Sequence, residues 1–229
     1  CKYCSSRNRD DLFGHTWLWT LPLVPPVMLL LGPHSPLVLF LYYMLFFCLF
    51  KLLRLDTSIC GQTKDGTRDG SSFMRLCSFA VLCWLVIEYA FYASGHVSNF
   101  NGLHVSAAYV GLDNFSFILS GSLLFLNTFI LTMLSTALVW TGIDGAFTGK
   151  RNRDVLVLIL GALYSLLLLV VMSFTLFARR HLMVWAIFAP KFVFTAATII
   201  VVDISLLLCI CFSKMSSGWK IAAKRGKQQ

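Results

Sequence analysis

Val155-Leu-Val-Leu-Ile-Leu-Gly-Ala-Leu-Tyr-Ser-Leu-Leu-Leu-Leu-Val-Val-Met-Ser-Phe-Thr-Leu-Phe177 decides the fold. It is long enough to cross a bilayer as one helix, which takes about 20 mostly apolar residues. It carries no charge and almost no polar group. Its flanks are of opposite character: Lys150-Arg-Asn-Arg153 before it and Arg179-Arg180 after it are basic.

The rest of the chain is of the same kind. Of 229 residues, 58% are hydrophobic and only 13% are charged. Soluble domains average about 45–50% and about 25%. A globule of this size cannot hide so much apolar surface from water, because part of any folded chain must face outward. Lipid is therefore the solvent for most of this protein. Intrinsic disorder and a disulfide-stapled secreted scaffold are excluded on the same composition.

Six apolar runs emerge, and the expected fold is an all-α, polytopic transmembrane helical bundle of about six spans. The runs are residues 12–31, 36–53, 73–93, 115–140, 155–177 and 192–212. The first is the weakest, because Pro22, Pro25 and Pro26 each remove a backbone donor. Residues 1–11 form an N-terminal flank, and residues 214–229 form a basic tail. The chain opens on Cys1 rather than Met and shows no signal-peptide pattern, so it is expected to be a fragment.

The net charge of +9 comes from 19 Lys and Arg against 10 Asp and Glu. In a soluble protein this balance would suggest nucleic acid. Here the basic residues are first a record of topology. With both ends in the cytosol, all but three of the 19 fall on the cytosolic side. The exceptions are Arg179, Arg180 and Lys191. This asymmetry supports an even number of spans, a cytosolic C-terminus and no nucleic-acid partner. Trp17, Trp19, Trp140, Trp185 and Trp219 stand at or near run ends, where aromatic belts form.

Three expected far-side segments hold the remaining polar candidates. They are the short turn at residues 32–35, the loop at 94–114 and the loop at 178–191. The loop at 94–114 is small and polar, and can dip into the membrane where protein shields its backbone. The cytosolic loop at residues 55–72, rich in Gly, Asp and Thr, reads as solvated.

Two carboxylates lie inside runs. Glu88 sits near the far end of its run, about two turns from His96. A charge in a span faces a partner, a cavity or the bundle interior. Glu88 is thus a candidate contact for a polar substrate or a proton; the alternative is a hydrogen bond to a neighbouring helix. Asp203 is deeper and needs a partner, with Asn127 one candidate. Polar glue between helices is the preferred role for this pair.

His96, His104 and His181 all fall on the far side, but their spacing matches no standard metal site. Polar contact at the interface is the preferred reading. Cys1-x-x-Cys4 has half a zinc spacing with no second half nearby, so no metal is assigned to this chain. The cluster Arg179-Arg180-His181, with Lys191 beyond it, violates the charge asymmetry. Arg is well shaped to grip a phosphate group, and that is the functional reading. Snorkelling toward lipid headgroups is the other. No Walker loop, GxSxG elbow, HExxH helix or two-metal cluster is present in the sequence. The chain therefore carries no catalytic residue that can be named.

Two stretches carry a resemblance. Arg179-Arg-His-Leu-Met-Val-Trp-Ala-Ile-Phe-Ala-Pro-Lys-Phe-Val-Phe194 resembles the last lumenal loop and final helix of the glycosylphosphatidylinositol (GPI) ethanolamine phosphate transferases, types 3 and 2. Phe91-Tyr-Ala-Ser-Gly-His96, followed by Ser106-Ala-Ala-Tyr-Val-Gly111, is similar to a second stretch of that family. Gly95-His96 is more like type 3, and Gly111-Leu112-Asp113 more like type 2. Thr195 departs from the family's Glu, which puts any role of that carboxylate in doubt here. The tail Arg225-Gly-Lys227-Gln-Gln resembles a dibasic retrieval signal of the endoplasmic reticulum.

The resemblance implies an enzyme of the endoplasmic-reticulum membrane in GPI-anchor biosynthesis. Such an enzyme moves phosphoethanolamine from phosphatidylethanolamine onto a mannose of the GPI precursor. It implies catalysis by a separate lumenal domain with two zinc ions and a Thr nucleophile, absent from this chain. It implies a small membrane partner subunit docking in this region. Glu88, His96, His104, Arg179, Arg180, His181 and Lys191 are then the candidate contacts to lipid substrates. The competing class is a stand-alone membrane scaffold or small transporter. A transporter should show paired broken helices and an inverted repeat, and only the first run is broken.

Overall fold

The computed structural model describes residues 24–32, 35–60, 68–112, 114, 116–146, 150–180 and 182–226. The described residues form helices and short 3-10 turns, with no strand. In chain order the helices are α1 (Val24–Leu31), α2 (Ser35–Cys60), α3 (Arg68–Ala93), α4 (Phe117–Ala146), α5 (Lys150–Ala178) and α6 (Leu182–Gly226). Helices are the expected answer, since a spanning segment must satisfy its own backbone.

Four helices are long and apolar enough to cross a bilayer: Leu76–Ala93, Phe117–Asp144, Asn152–Ala178 and Trp185–Met215. The apolar part of α2, Ser35–Lys51, is shorter. Of the first expected run, only Val24–Leu31 is described. Pro25 and Pro26 do not break it; they occupy its first turn, where backbone N–H groups have no helical partner anyway. Ser35 joins α1 to α2, its hydroxyl donating to the Gly32 carbonyl at 2.6 Å.

Packing is cyclic. α3 contacts α4 and α5, and α6 contacts the same two, so four helices close a ring. α1 and α2 lie against α4. The centre is filled by Leu39, Phe46, Ile87, Leu131, Ile143 and Leu156, each 2% exposed or less. Tyr42 of α2 donates its hydroxyl to the Val86 carbonyl of α3 at 3.3 Å, a bond fully shielded from lipid. Leu158, Leu166, Leu169, Leu207 and Leu208 point outward, each at least 60% exposed. In water that surface would be a liability; in lipid it is the expected exterior.

α4 is the central helix and it is polar inside. Thr128, Thr132, Ser135 and Thr136 are all buried. Thr128 and Thr136 turn their hydroxyls back to the carbonyls of Leu124 and Thr132, each at 2.8 Å. Short side chains satisfied in this way let membrane helices approach closely, where the hydrophobic effect offers little drive. The spacing 128, 132, 136 is a helical stripe that the sequence displays openly.

Each helix after α1 extends beyond its apolar run, α6 most of all. α6 begins at Leu182, inside the segment 178–191 that the hydropathy pattern predicts as a loop, and continues through Pro190. The apolar stretch Leu182–Ala189 gains more from helical backbone pairing than Pro190 loses through one absent donor. α6 also continues to Gly226, through most of the basic tail. Between the second and third apolar runs, α2 reaches Cys60 and α3 starts at Arg68; residues 61–67 lie outside the described residues.

One polar tie closes the basic end of the ring. Asp144 of α4 accepts from the Arg153 guanidinium of α5, and its other oxygen accepts from the Ser213 hydroxyl of α6 at 3.3 Å. Both charged side chains are 28% exposed, so the pair is partly sheltered from solvent screening. Asp144→Ala is expected to lower detergent-solubilised stability by about 1–2 kcal/mol, since it leaves Arg153 without its acceptor. Arg153→Ala in the Asp144→Ala background should add little. Full additivity in a thermal-unfolding cycle would show that the two do not act together.

Candidate functional site

The end of the ring opposite Asp144 is where the expected site residues gather. α3 stops at Ala93. Ser94 turns its hydroxyl back to the Phe91 carbonyl at 2.7 Å. Gly95 adopts φ +81°, a left-handed conformation that a side chain would strain. The chain therefore reverses at Gly95 and drives His96 into the end of the bundle, where it is 3% exposed.

His96 is held there by Asn127. The ring Nε2–H donates to the Asn127 backbone carbonyl at 3.1 Å. A carbonyl only accepts, so the bond places the proton on Nε2. Burial pushes the pKa of His96 below the ordinary 6.5; the Asn127 carbonyl opposes that shift and nearby His104 adds to it. The ring is thus neutral at pH 7. The Gly102 backbone lies close enough to the ring to oppose the burial shift as well, though Nδ1 makes no hydrogen bond of good geometry, and the buried Asn127 amide nitrogen makes none either.

Residues 97–112 then fold over this end as two 3-10 turns, Phe100–Gly102 and Val105–Tyr109. His104 stands edge-on to His96, ring centroids 4.9 Å apart. Ala107 and Ala108 are buried against α4, where only small side chains allow the close approach. Phe100 packs on Phe194 of α6 at 5.7 Å, and Phe91 packs on Phe129 and Phe194, each at 6.1 Å. Residues 94–112 are thus a lid of the bundle, fastened to α3, α4 and α6.

The basic candidates sit apart from the histidines. Arg179 and Arg180 form the exposed turn between α5 and α6. With Ser173, Leu176 and Phe177 they line an open cleft of about 630 Å³. Lys191 is exposed on α6, one helical stretch further on. His181 lies outside the described residues. Among the described residues no hydrogen bond or ring contact joins the arginine turn to the histidine lid.

Of the two intramembrane carboxylates, Asp203 does not meet its candidate partner. Glu88 is half-buried on α3. Asp203 does not meet Asn127: Asn127 faces inward at 2% exposure and serves His96 through its carbonyl, while Asp203 points outward from α6. The group that does lie within electrostatic reach of both Glu88 and Asp203 is Tyr164 of α5, buried at 3% exposure. Nothing in the sequence around Tyr164 marks it, because one tyrosine in an apolar run reads as core.

No group of three His, Cys, Asp or Glu side chains among the described residues could hold a metal ion. These residues do not fit zinc, and no step through a metal is assigned to them.

What the fold and this end of it define is a class: a multi-pass membrane helical region with a polar lid at one end. A model of the GPI ethanolamine phosphate transferase membrane region matches residues 37–218. The chain belongs to that family. It is similar to GPI ethanolamine phosphate transferase 2 of Aspergillus oryzae, 27% identical over 117 residues, covering 49% of this chain and 13% of that protein. It is also similar to GPI ethanolamine phosphate transferase 2 of Schizosaccharomyces pombe, 28% identical over 118 residues, covering 52% of this chain and 14% of that protein. The chain thus spans a small part of these relatives' length. No solved structure matches.

Proposed function

We propose that this region positions lipid substrates for the transfer of phosphoethanolamine from phosphatidylethanolamine to a mannose of the GPI precursor. The observation that carries the proposal is the family match over residues 37–218, joined to an exposed Arg179-Arg180 turn above a cleft. The bond-making groups belong to a part of the enzyme outside this chain. This region contributes register: holding two lipids in one place removes translational freedom from the barrier. Arg179, Arg180 and Lys191 steady a phosphate, for which the planar guanidinium is suited. Glu88 meets the ethanolamine ammonium. His96 and His104 supply polar contacts at the lid, and His181, which follows Arg180 in sequence, is a further candidate contact.

The protein sits in the endoplasmic-reticulum membrane with the lid lumenal and the C-terminus cytosolic, in keeping with the charge asymmetry. It works with a small membrane partner subunit, whose dock lies on this bundle.

The test is Arg179→Ala with Arg180→Ala in the full-length enzyme. Both residues are solvent-exposed, so expression and folding should be unaffected. The phosphatidylethanolamine concentration for half-maximal transfer should rise roughly tenfold, the equivalent of about 1.4 kcal/mol of lost phosphate contact. Transfer at unchanged lipid requirement, with normal expression, would remove the arginines from the substrate site.

A further inference from the structure

The lid carries no formal charge. Residues 94–112 hold no Lys, Arg, Asp or Glu; they hold three serines, two asparagines, two histidines and two aromatic rings. At the same end of the bundle, two buried side chains of α4 have no hydrogen-bond partner. One is the Asn127 amide nitrogen, in a residue 2% exposed, and the other is the Ser120 hydroxyl, in a residue 4% exposed. They are about two turns apart and so share one face of the helix. Their neighbours behave otherwise. Ser122 and Thr128 each return the hydroxyl to a carbonyl four residues back, at 2.8 Å. Unpartnered polar groups are rare in a protein interior, and each calls for a role.

The Asn127 amide belongs to the residue whose backbone carbonyl holds His96. Its cover is residues 97–112, two short 3-10 turns that hang from the left-handed turn at Gly95. The chemistry at this end selects a ligand class. A phosphate asks for a cation, and an ammonium group asks for a carboxylate. Residues 94–112 and 117–128 offer neither. A sugar hydroxyl asks for neutral donors and acceptors. The Asn127 amide donates, the Ser120 hydroxyl does both, and the neutral His96 ring accepts at Nδ1.

We propose that Asn127 and Ser120 of α4, with His96, form a subsite for the hydroxyl groups of a sugar, covered by residues 97–112 until the ligand enters. In the transfer described above this is the sugar of the acceptor glycolipid, while the donor's phosphate goes to the Arg179-Arg180 turn. The assignment rests on the lipid-positioning role.

The experiment uses the full-length enzyme in its native membrane, as Asn127→Leu and as Ser120→Ala. The half-saturating concentrations of the mannose-bearing acceptor glycolipid and of phosphatidylethanolamine are measured separately, together with amide exchange across residues 97–112. In each variant the acceptor concentration should rise up to about tenfold, the loss of one hydrogen bond. The phosphatidylethanolamine concentration should not change, and lid protection should hold or increase. A purely structural role gives a different result: deleting an unpartnered buried group steadies the lid and leaves the acceptor requirement alone. Ser120→Ala removes a single oxygen, so it decides the matter if Asn127→Leu does not express. An unchanged acceptor requirement, an equal rise for both lipids, or a rise accompanied by lost lid protection overturns the proposal. If the Arg179→Ala, Arg180→Ala enzyme shifts its phosphatidylethanolamine requirement while the lid variants shift nothing, the sugar subsite falls and the lipid-positioning role stands. If none of the variants shifts, both fall.

Discussion

Gly142→Leu is expected to prevent α2 from packing on α4, and Gly142→Ala to weaken that contact measurably. A Cβ built on Gly142 would overlap the edge of the Phe50 ring. That ring cannot step aside cheaply. It is 5% exposed, stacked on Phe46 at 5.8 Å and edge-on to Phe79 at 6.0 Å. Helix propensity argues the opposite sign, since Ala is preferred over Gly in a helix interior by about 1 kcal/mol. Overpacking a full core costs about 1–3 kcal/mol for small additions and more for large ones. The clash should win, and the sign of the change decides the matter. In a detergent thermal-unfolding assay, Gly142→Ala should lower the midpoint. Phe50→Leu, which opens the space, should recover much of the loss in the double variant. A midpoint that stays or rises in Gly142→Ala would mean that the two helices are not in contact there.

His96→Ala should open the lid. The substitution removes a buried ring packed on Phe91 and His104 and the donor to the Asn127 carbonyl, for about 2–4 kcal/mol. Amide hydrogen exchange across residues 97–112 should accelerate accordingly. His104→Ala, an exposed position, should change exchange by far less. Asn127→Leu is the informative contrast. The acceptor of the His96 bond is the backbone carbonyl, so the bond survives while an unpartnered buried amide disappears. Protection should hold or increase.

The same residue gives the lid a pH dependence. Burial lowers the pKa of His96 below its ordinary 6.5, so between the two values the open chain binds a proton that the closed lid refuses. Stability therefore rises with pH through that window. The lid is fully stable above about 6.5 and loosens as pH falls below it, levelling off once pH passes the lowered pKa. His96→Leu should remove this dependence. Exchange rates, corrected for intrinsic chemistry, that do not change between pH 7.5 and 5 in the parent would refute it.

The two routes to the site differed in reach. The segments that became helices were legible because lipid imposes a simple rule: long apolar runs must pair their backbone internally. The loop ends were legible less well. Pro190 and Lys191 predict a loop at Leu182–Ala189, yet helical pairing carries through Pro190. His96, His104 and Asn127 were all singled out by residue type and position, but not as a unit. Their meeting depends on the left-handed turn at Gly95 and on which face of α4 Asn127 occupies. Asp203 and Asn127 were offered as partners because both are polar and intramembrane. They occupy opposite faces of different helices, a matter of rotation that hydropathy does not encode.

The amino-acid sequence by itself determined the solvent, the helical class and the family. Each depends on summed composition, or on contiguous motifs such as Arg179–Phe194, which need no knowledge of neighbours. Tertiary structure alone decided that Gly142 faces Phe50, that Asp144 joins three helices, that His96 is buried beneath its own loop, and that Asp203 looks outward. Each of these depends on the rotation of one helix about its axis relative to another. In a bilayer both faces of a helix can be apolar, so the amphipathic signal that reports rotation in a soluble bundle is weak here.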